Sequence, residues 1–272
     1  MTEIDESLLD ELLDSIKETY GYDFSNYSKA SVTRRVARFL ELKKTSDLKT
    51  LREKIIADEM FFESFVEELT VNVTEMFRDP SFYKSFRNKV LPQLATYPHL
   101  KIWDAGCSTG EEVYSLAIVL QEEGLYQKSK IYATDINQKV LAQAKDGIYH
   151  ISLLKDYTAN YIRSGGENSF SDYYTVKYNH ALFDSELKKN LIFSVHNLAN
   201  DSSFNEFNLV VCRNVLIYFN KELQERVIEL FLNSLCMFGY LVLGNKETLT
   251  LSKFQDRFEV IDKNEKIYRR IK

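Results

Sequence analysis

The sequence has little of what several protein classes require. It holds three cysteines, three prolines and four histidines in 272 residues. The cysteines form no CxxC pair and the histidines show no metal-ligand spacing, so we expect a reduced protein without a metal. No apolar run approaches the roughly 18 residues that span a bilayer, and the first 28 residues lack the segments of a secretory signal. We therefore expect a cytoplasmic protein with no membrane insertion.

An excess of positive charge is also missing. The net charge is −5, which argues against a dedicated nucleic-acid binder. The charge is uneven: residues 1–28 hold eight acids and one lysine (−7), residues 29–44 hold six bases and one acid (+5), and the remainder carries −3. The basic block forms either a solvated helix face or a surface for an acidic partner.

Helical spacing of apolar residues dominates the first quarter of the chain. Leucine and isoleucine recur at positions 8, 9, 12, 13 and 16, and valine, phenylalanine and leucine at 32, 36, 39 and 40. Arg34, Arg35 and Arg38 fall on roughly the opposite face of the second helix. No proline precedes Pro80. We predict a small all-α domain over residues 1–76.

From residue 77 to 272, strand-like and helix-like stretches alternate, which predicts an α/β domain with a parallel sheet between helices. The predicted strands are Lys101–Trp103, Lys130–Thr134, Asn208–Cys212, Tyr240–Leu243, Phe258–Asp262 and Lys266–Ile271. The predicted helices are 82–96, Glu111–Glu123, Gln138–Ala144 and Lys221–Leu235. Aromatic and β-branched alternations, including Leu191 to Val195, break this pattern. They predict an insertion of mostly antiparallel strands at about residues 152–192.

The sharpest local pattern is the loop Asp104-Ala-Gly106-Cys-Ser-Thr-Gly110 between a strand and a helix. Glycine allows a tight turn and a close approach of backbone to ligand, and the helix N-terminus offers unpaired N–H groups. The spacing G-x-x-x-G is neither the dinucleotide fingerprint nor a Walker A loop. The alternative is a purely structural turn.

Asp135 ends the next strand, about 25 residues past Gly110. An acid there can accept hydrogen bonds from both hydroxyls of a ribose, and a ribose without a pyrophosphate loop indicates S-adenosylmethionine. The alternative role of Asp135 is an N-cap. Glu111 and Glu112 open the following helix, and acids are favoured in a first helical turn. The alternative is that one of the two binds the ammonium of a methionine moiety, and spacing does not say which residue that is.

A third pattern is the apolar strand that ends in Arg213-Asn214, followed by Tyr218. Ligands of open α/β sheets bind at the carboxyl ends of strands, so Arg213 and Asn214 are candidate site residues. Tyr218 is either a site residue or a packing aromatic.

Together these motifs resemble the CheR-type methyltransferases, which methylate glutamates of bacterial chemotaxis receptors. The resemblance spans nearly the whole chain and rests on five motifs in order: Thr70 to Arg78, Trp103 to Ser115, Ala133 to Ile136, Val195 to Leu198, and Cys212 to Phe219. It implies a class I (Rossmann-like) methyltransferase domain over 77–272, with an inserted three-stranded β-subdomain, after a small all-α N-terminal domain.

The resemblance also implies roles for single residues. Those implied to contact S-adenosylmethionine or its pocket are Asn72, Thr74, Arg78, Gly106, Glu112, Asp135, Asn197, Leu198, Arg213 and Asn214. Arg78 and Tyr218 are implied to lie beside the transferred methyl group. Arg34, Arg35 and Arg38 match the helix that faces the receptor.

Three single positions and one short stretch depart from the family pattern. The family usually has Ser at Asp104, Pro at Val113 and Phe at Met76, and Gly-His-Ser-Glu where this chain has Gly244-Asn-Lys-Glu247. Residues 165–167 do not carry the glycine-spaced loop with which some members grip a receptor's terminal pentapeptide. We therefore favour a tether-independent enzyme.

The implied activity is methyl transfer to a glutamate side chain in the cytoplasmic helical domain of a methyl-accepting chemotaxis receptor, by a monomer, with S-adenosylhomocysteine as product. Two alternatives are a class I methyltransferase with another acceptor and a cofactor-binding signalling scaffold without turnover. A nicotinamide dehydrogenase is disfavoured because the G-x-G-x-x-G loop is absent.

Overall fold

The computed structural model describes residues 4–70, 73–250 and 252–272. These residues form two compact units. The first contains the described residues before 71 together with Leu216–Val227, and the second contains Val73–Val215 and Ile228–Lys272. The predicted domain boundary at 76/77 stays a prediction. In the described part of the chain, no helix is long and apolar enough to cross a membrane.

The first unit is built on four helices, three of which begin directly after an aspartate that caps them. They are α1 (Glu6–Tyr20), α2 (Lys29–Leu42), α3 (Leu48–Ala57) and α4 (Glu59–Leu69). The carboxylates of Asp5, Asp47 and Asp58 accept hydrogen bonds from the first-turn N–H groups of α1, α3 and α4. The predicted apolar stripes of α1 and α2 pack into the core of this unit, with Leu8 only half-buried, and apolar residues of α3 and α4 complete the core.

The segment Leu216–Val227 joins the first unit through backbone hydrogen bonds. Ser28 N donates to the Tyr218 carbonyl at 2.8 Å, and Asn220 N donates to the Asn26 carbonyl at 2.9 Å. The rings of Tyr27 and Phe219 pack edge to face at 5.0 Å. A late stretch of chain therefore completes a unit whose other described members all precede residue 71.

Among the described residues of the second unit, seven strands form one twisted sheet in the order β6-β2-β1-β7-β8-β10-β9. The strands are β1 (Leu100–Ala105), β2 (Ser129–Asp135), β6 (Leu191–Val195), β7 (Phe207–Cys212), β8 (Leu235–Leu243), β9 (Phe258–Asp262) and β10 (Ile267–Arg270). The first five of these are parallel to one another, and β10 is antiparallel to both β8 and β9. The predicted α/β architecture, with a mostly parallel sheet, is confirmed.

The connections of the second unit are mostly helical. Its helices are α5 (Pro80–Ser85), α6 (Leu91–Leu94), α7 (Glu111–Glu122), α8 (Gln138–Asp146), α9 (Leu154–Arg163) and α10 (Ser185–Lys188), and the division between units falls within α11 (Lys221–Ser234). The predicted helix 82–96 contains a π-helical turn, Phe86–Val90, in which Leu91 N donates to Phe86 O. Pro92 has no N–H and its ring crowds the carbonyl four residues back, which the wider turn accommodates.

A second, smaller sheet is inserted after α8. It consists of β3 (Ile148–His150), β4 (Tyr174–Lys177) and β5 (His180–Phe183), in the order β3-β5-β4 and antiparallel throughout. The prediction that Leu191–Val195 belongs to this insertion is wrong. That strand pairs in parallel with β2, from Ile131↔Leu191 to Asp135↔Val195, because it returns the chain to the edge of the main sheet.

Candidate cofactor site

Four parallel strands end at one edge of the main sheet, and each delivers predicted site residues there. β1 leads into the loop from Asp104 to Gly110, β2 ends at Asp135, β6 precedes Asn197, and β7 precedes Arg213. Because the strands are parallel, their carboxyl ends meet at the same edge. This edge is the candidate cofactor site.

The glycine loop is shaped by close contacts that exclude side chains. Gly106 and Gly110 have φ of +87° and +97°. A Cβ on Gly106 would lie 2.5 Å from a methyl of Val215, and one on Gly110 would lie 2.8 Å from Cβ of Ala144. Only glycine fits both the backbone conformation and the space at these positions.

Asp135 fixes the middle of this loop. Its Oδ2 accepts a hydrogen bond from Ser108 N at 2.9 Å, and its Oδ1 accepts one from Asn137 N at 3.0 Å. Asn137, not Asp135, caps α8, so the N-cap interpretation of Asp135 is wrong. Burial raises the pKa of Asp135, and the hydrogen bonds from Asn137 and Ser108 oppose this. The predicted contact with a ribose stays a prediction.

The two adjacent glutamates of α7 have different surroundings. Glu111 is buried, with its oxygens bonded to the hydroxyls of Thr109 and Tyr157. Glu112 instead faces Arg213, with its Oε2 2.5 Å from the guanidinium. The structure therefore distinguishes the two residues, which sequence spacing alone did not.

Arg213 is the centre of a buried charge cluster, with its side chain 2% exposed. Besides Glu112, it contacts Asp79 Oδ2 at 2.8 Å and the Arg78 carbonyl at 3.0 Å. Its guanidinium carbon lies 4.4 Å from the centre of the Phe82 ring. Burial works to lower the pKa of Arg213, but the carboxylates of Glu112 and Asp79 raise it overall. Asp79 belongs to this site and was missed by sequence reasoning; its position directly before Pro80, at a helix start, was the available signal.

Asp104 is the least compensated charge of the site. It is 1% exposed, and within the described residues its Oδ2 has no hydrogen-bond partner. Burial and the neighbouring Glu112 carboxylate hold the pKa of Asp104 well above its usual range. Two carboxylates, Asp79 and Glu112, thus pair with one guanidinium, and the carboxyl group of Asp104 is a third acid close enough to interact with it.

Asn214 is held by a buried acid that sequence reasoning did not single out. Its φ is +63°, and its N–H donates to Glu247 Oε2 at 3.1 Å. The same oxygen accepts from Gly244 N at 2.6 Å, so Glu247 ties the ends of β7 and β8 together. The retained glutamate of the Gly244–Glu247 stretch was the available signal.

The remaining predicted residues lie around these groups or elsewhere. Asn197 and Leu198 follow β6, where His196 N donates to the Asp135 carbonyl at 3.1 Å. Thr74 and Arg78 are half-buried, and Nη1 of Arg78 donates to the Val73 carbonyl at 3.2 Å. Asn72 lies outside the described residues. Tyr218 belongs to the first unit, so the structure does not test its placement beside the methyl group.

These residues fit S-adenosylmethionine. Its sulfonium and ammonium are cations, and the site offers an excess of buried carboxylate with unused acceptor capacity at Asp104 Oδ2. A buried acceptor left without a donor is costly, and a cationic ligand supplies the missing partner. Across the described residues, no group of three or more His, Cys, Asp or Glu side chains is arranged to hold a metal ion.

Comparison with known proteins gives the family. The CheR methyltransferase SAM binding domain matches residues 72–267, and the CheR methyltransferase all-alpha domain matches residues 7–70. The chain is 48% identical to the Pseudomonas putida protein Cher3 over 95% of each chain. It is 29% identical to a chemotaxis protein methyltransferase of Listeria innocua, over 86% of this chain and 87% of the relative. It is 33% identical to chemotaxis protein methyltransferase 1 of Vibrio cholerae, over 76% and 75%. The chain belongs to the CheR methyltransferase family, and it is an S-adenosylmethionine-dependent methyltransferase.

Proposed function

We propose that this protein methylates glutamate side chains of chemotaxis receptors and so serves sensory adaptation. The observation that carries the proposal is the Arg213 cluster, in which the buried guanidinium of Arg213 joins Glu112 of α7 to Arg78 and Asp79 through three hydrogen bonds. Two relatives, matched over 86% and 90% of this chain, are named as chemotaxis protein methyltransferases, which supports the same conclusion.

The proposed acceptor simplifies the chemistry. A glutamate side chain with an ordinary pKa near 4.3 is already ionised at neutral pH, so no general base is needed. The bound cofactor supplies an electrophilic methyl group on a sulfonium. A carboxylate oxygen of the acceptor would form the new bond to that methyl carbon while the carbon–sulfur bond breaks, and the electron pair of that bond would remain on sulfur. The products are a γ-methyl ester and S-adenosylhomocysteine, and no proton is transferred.

The task of the protein is then alignment and desolvation. Arg78 is our candidate for orienting the acceptor carboxylate. It is half-buried next to the Arg213 cluster, its Nη1 bonds one backbone carbonyl, and a guanidinium presents five N–H donors suited to a carboxylate. We propose the same role for Tyr218, whose phenol would donate a single hydrogen bond.

The receptor surface in this proposal is the basic face of α2. Arg34 and Arg38 are exposed, while Arg35 is largely covered. Arg35 and Arg38 both lie near Glu68 Oε1, at 3.5 and 3.4 Å. One carboxylate shared by two guanidinium groups leaves this face positive, which suits the acidic methylation region of a receptor's helical domain. We propose a cytoplasmic monomer as the working form.

The test is transfer of labelled methyl from S-adenosylmethionine to purified receptor signalling fragments, prepared with and without their last residues. Receptor methylation that mild alkali removes is the expected result, and equal labelling of both fragments is expected of a tether-independent enzyme. Label that resists alkali would identify another acceptor chemistry. Cofactor binding without any S-adenosylhomocysteine formed would support a non-catalytic scaffold.

Arg78→Ala tests the orienting role, with Arg78→Lys as the matched control that keeps the charge but not the planar fork. We expect Arg78→Ala to lower kcat about 100-fold or more while S-adenosylhomocysteine still binds. A receptor methylated at the normal rate by Arg78→Ala would exclude this role.

A further inference from the structure

The inserted segment between β2 and β6 reaches the cofactor loop with two buried hydroxyl groups. Tyr149 of β3 donates its hydroxyl hydrogen to the Thr109 carbonyl, with the oxygens 2.8 Å apart. Tyr157 of α9 donates to Oε1 of Glu111 at 3.1 Å. Both side chains are about 2% exposed, so each hydroxyl has exchanged water for a partner in the loop.

Glu111 is fully engaged by these contacts. Its Oε2 accepts a 2.6 Å hydrogen bond from the Thr109 hydroxyl, and its Oε1 accepts the one from Tyr157. Burial raises the pKa of Glu111, and the hydroxyls of Thr109 and Tyr157 act against that rise. Since both of its oxygens accept hydrogen bonds inside the fold, Glu111 connects the loop, through Thr109, to the insertion, through Tyr157.

The loop needs such a hold because its conformation is not one that the sequence adopts readily. Ser108 has φ of +50°, which is uncommon for a residue with a side chain. A Cβ on Gly110 would lie 3.1 Å from the Tyr149 hydroxyl, so this tyrosine packs directly against the turn. Residues that stabilise such a backbone usually do so for a function of that backbone.

We propose that Tyr149 and Tyr157 are positioning residues for cofactor binding. By holding Thr109 and Glu111 from the side of the insertion, they fix the turn that carries Ser108 and the start of α7. The next residue, Glu112, is thereby presented to Arg213 in the cofactor site. The inference rests on the cofactor assigned above and is independent of the proposed receptor substrate.

The chain offers a matched control at the other end of α7. Tyr173 also donates its hydroxyl to a glutamate of this helix, at 2.8 Å from Oε1 of Glu122. Glu122 lies eleven residues after Glu111, which is about 16 Å along a helix. Removing the Tyr173 hydroxyl deletes the same type of hydrogen bond far from the loop.

The experiment compares Tyr149→Phe, Tyr157→Phe and Tyr173→Phe in the full chain. The measurements are the Kd for S-adenosylhomocysteine by calorimetry and the Tm without ligand. We expect each of the first two variants to raise the Kd about tenfold. We expect Tyr173→Phe to change the Kd less than about twofold, with a similar fall in Tm. In a methyl-transfer assay, the KM for S-adenosylmethionine should rise in Tyr149→Phe and Tyr157→Phe while kcat at saturation is unchanged.

Two outcomes would overturn the proposal. One is an unchanged Kd in both loop variants, and the other is an equal loss of affinity in all three, which would indicate a general loss of stability. If Tyr157→Phe does not fold, Tyr149→Phe decides alone, because its partner is a carbonyl and no carboxylate is left unpaired. Product binding needs no acceptor, so a failure of receptor methylation leaves this test intact.

Discussion

The two ends of α7 both bury a glutamate next to an arginine, but they balance the charge differently. At the far end, Glu122 forms an ion pair with Arg87 and accepts hydrogen bonds from the hydroxyls of Tyr161 and Tyr173. At the near end, Glu112 shares one guanidinium, Arg213, with Asp79, and Asp104 is buried beside them with an oxygen that has no partner in the described chain.

The difference separates architecture from function. A buried carboxylate with enough donors is a stable joint, whereas one without them costs free energy until a ligand supplies the donor. Charge at the far end is therefore expected to affect stability alone. Removing a charge at the near end is expected to change both the free energy of unfolding and the affinity for the cofactor, by different amounts or in opposite directions.

The largest effect is expected for Arg213→Met. It leaves the half-buried carboxylates of Asp79 and Glu112, which are 31% and 14% exposed, without their cation. The free energy of unfolding should therefore fall by about 3 kcal/mol, and cofactor binding should be lost. Chemical denaturation and calorimetry measure the two quantities. The control is Arg87→Met, in which Glu122 keeps its tyrosine donors; S-adenosylhomocysteine should bind it normally. Normal binding by Arg213→Met would contradict the comparison.

Asp104→Asn should raise the stability of the free protein and lower its affinity for the cofactor. Because the pKa of Asp104 is raised in the folded protein, its ionised form opposes folding at neutral pH, so the variant should have a higher Tm without ligand. Its affinity for S-adenosylmethionine should fall about 10- to 100-fold, as a charge-assisted contact is lost. A variant with both higher Tm and unchanged affinity would remove Asp104 from the site.

The pH profile of binding gives a second measure of Asp104. Protonation neutralises the carboxylate, so the affinity of the native protein should fall as the pH drops through the raised pKa of this group. In Asp104→Asn the dependence should be flatter. An identical profile in both proteins would assign the titration to another group.

A smaller effect is expected from the isosteric pair Glu112→Gln and Glu122→Gln. Both remove one charge from α7. Glu122→Gln should lower the free energy of unfolding by about 2 kcal/mol with less than a twofold change in Kd, because its partners are all internal. Glu112→Gln should weaken S-adenosylhomocysteine binding at least about tenfold. Equal effects of the two on the Kd would abolish the distinction between the ends.

The smallest effect is expected at Asp262, the last residue of β9, whose carboxylate accepts hydrogen bonds from Ser85 and Lys89. Burial acts to raise the pKa of Asp262, but hydrogen bonds from Lys89 and Ser85 lower this pKa to about 2. A depressed pKa stabilises the fold above the unfolded value near 3.9, and this contribution is lost between about pH 4 and 2. Asp262→Asn should cost at most about 2 kcal/mol at pH 7 and nothing near pH 2, as measured by urea unfolding.

Sequence patterns predicted the fold well where burial has a period. The stripe of α1 and the apolar strands β1 and β7 were found because nearly all of their apolar residues are buried. Leu191–Val195 was misassigned because an edge strand is half-exposed, and its alternation looks the same in a parallel or an antiparallel sheet.

The site was predicted less completely, for a related reason. Motifs name the residues that end strands, such as Asp135 and Arg213, but they carry no information on partners. Glu111 and Glu112 are adjacent and identical in type, and only packing against Tyr157 or Arg213 separates them. Asp79 and Glu247 entered the site through contacts 134 and 33 residues away in sequence.

The late segment Leu216–Val227 affects how the first unit can fold during synthesis on the ribosome. The helices before residue 71 emerge first, yet the strand-like contact between Tyr27 and Phe219 forms only after about 150 further residues have been made. At typical rates of translation this delay is on the order of ten seconds. Throughout that time the early helices lack part of their own architecture. A gene fragment that encodes only these helices would lack the segment Leu216–Val227, which belongs to the same unit. Exchanging this unit between relatives therefore requires that two separate stretches of the gene be replaced.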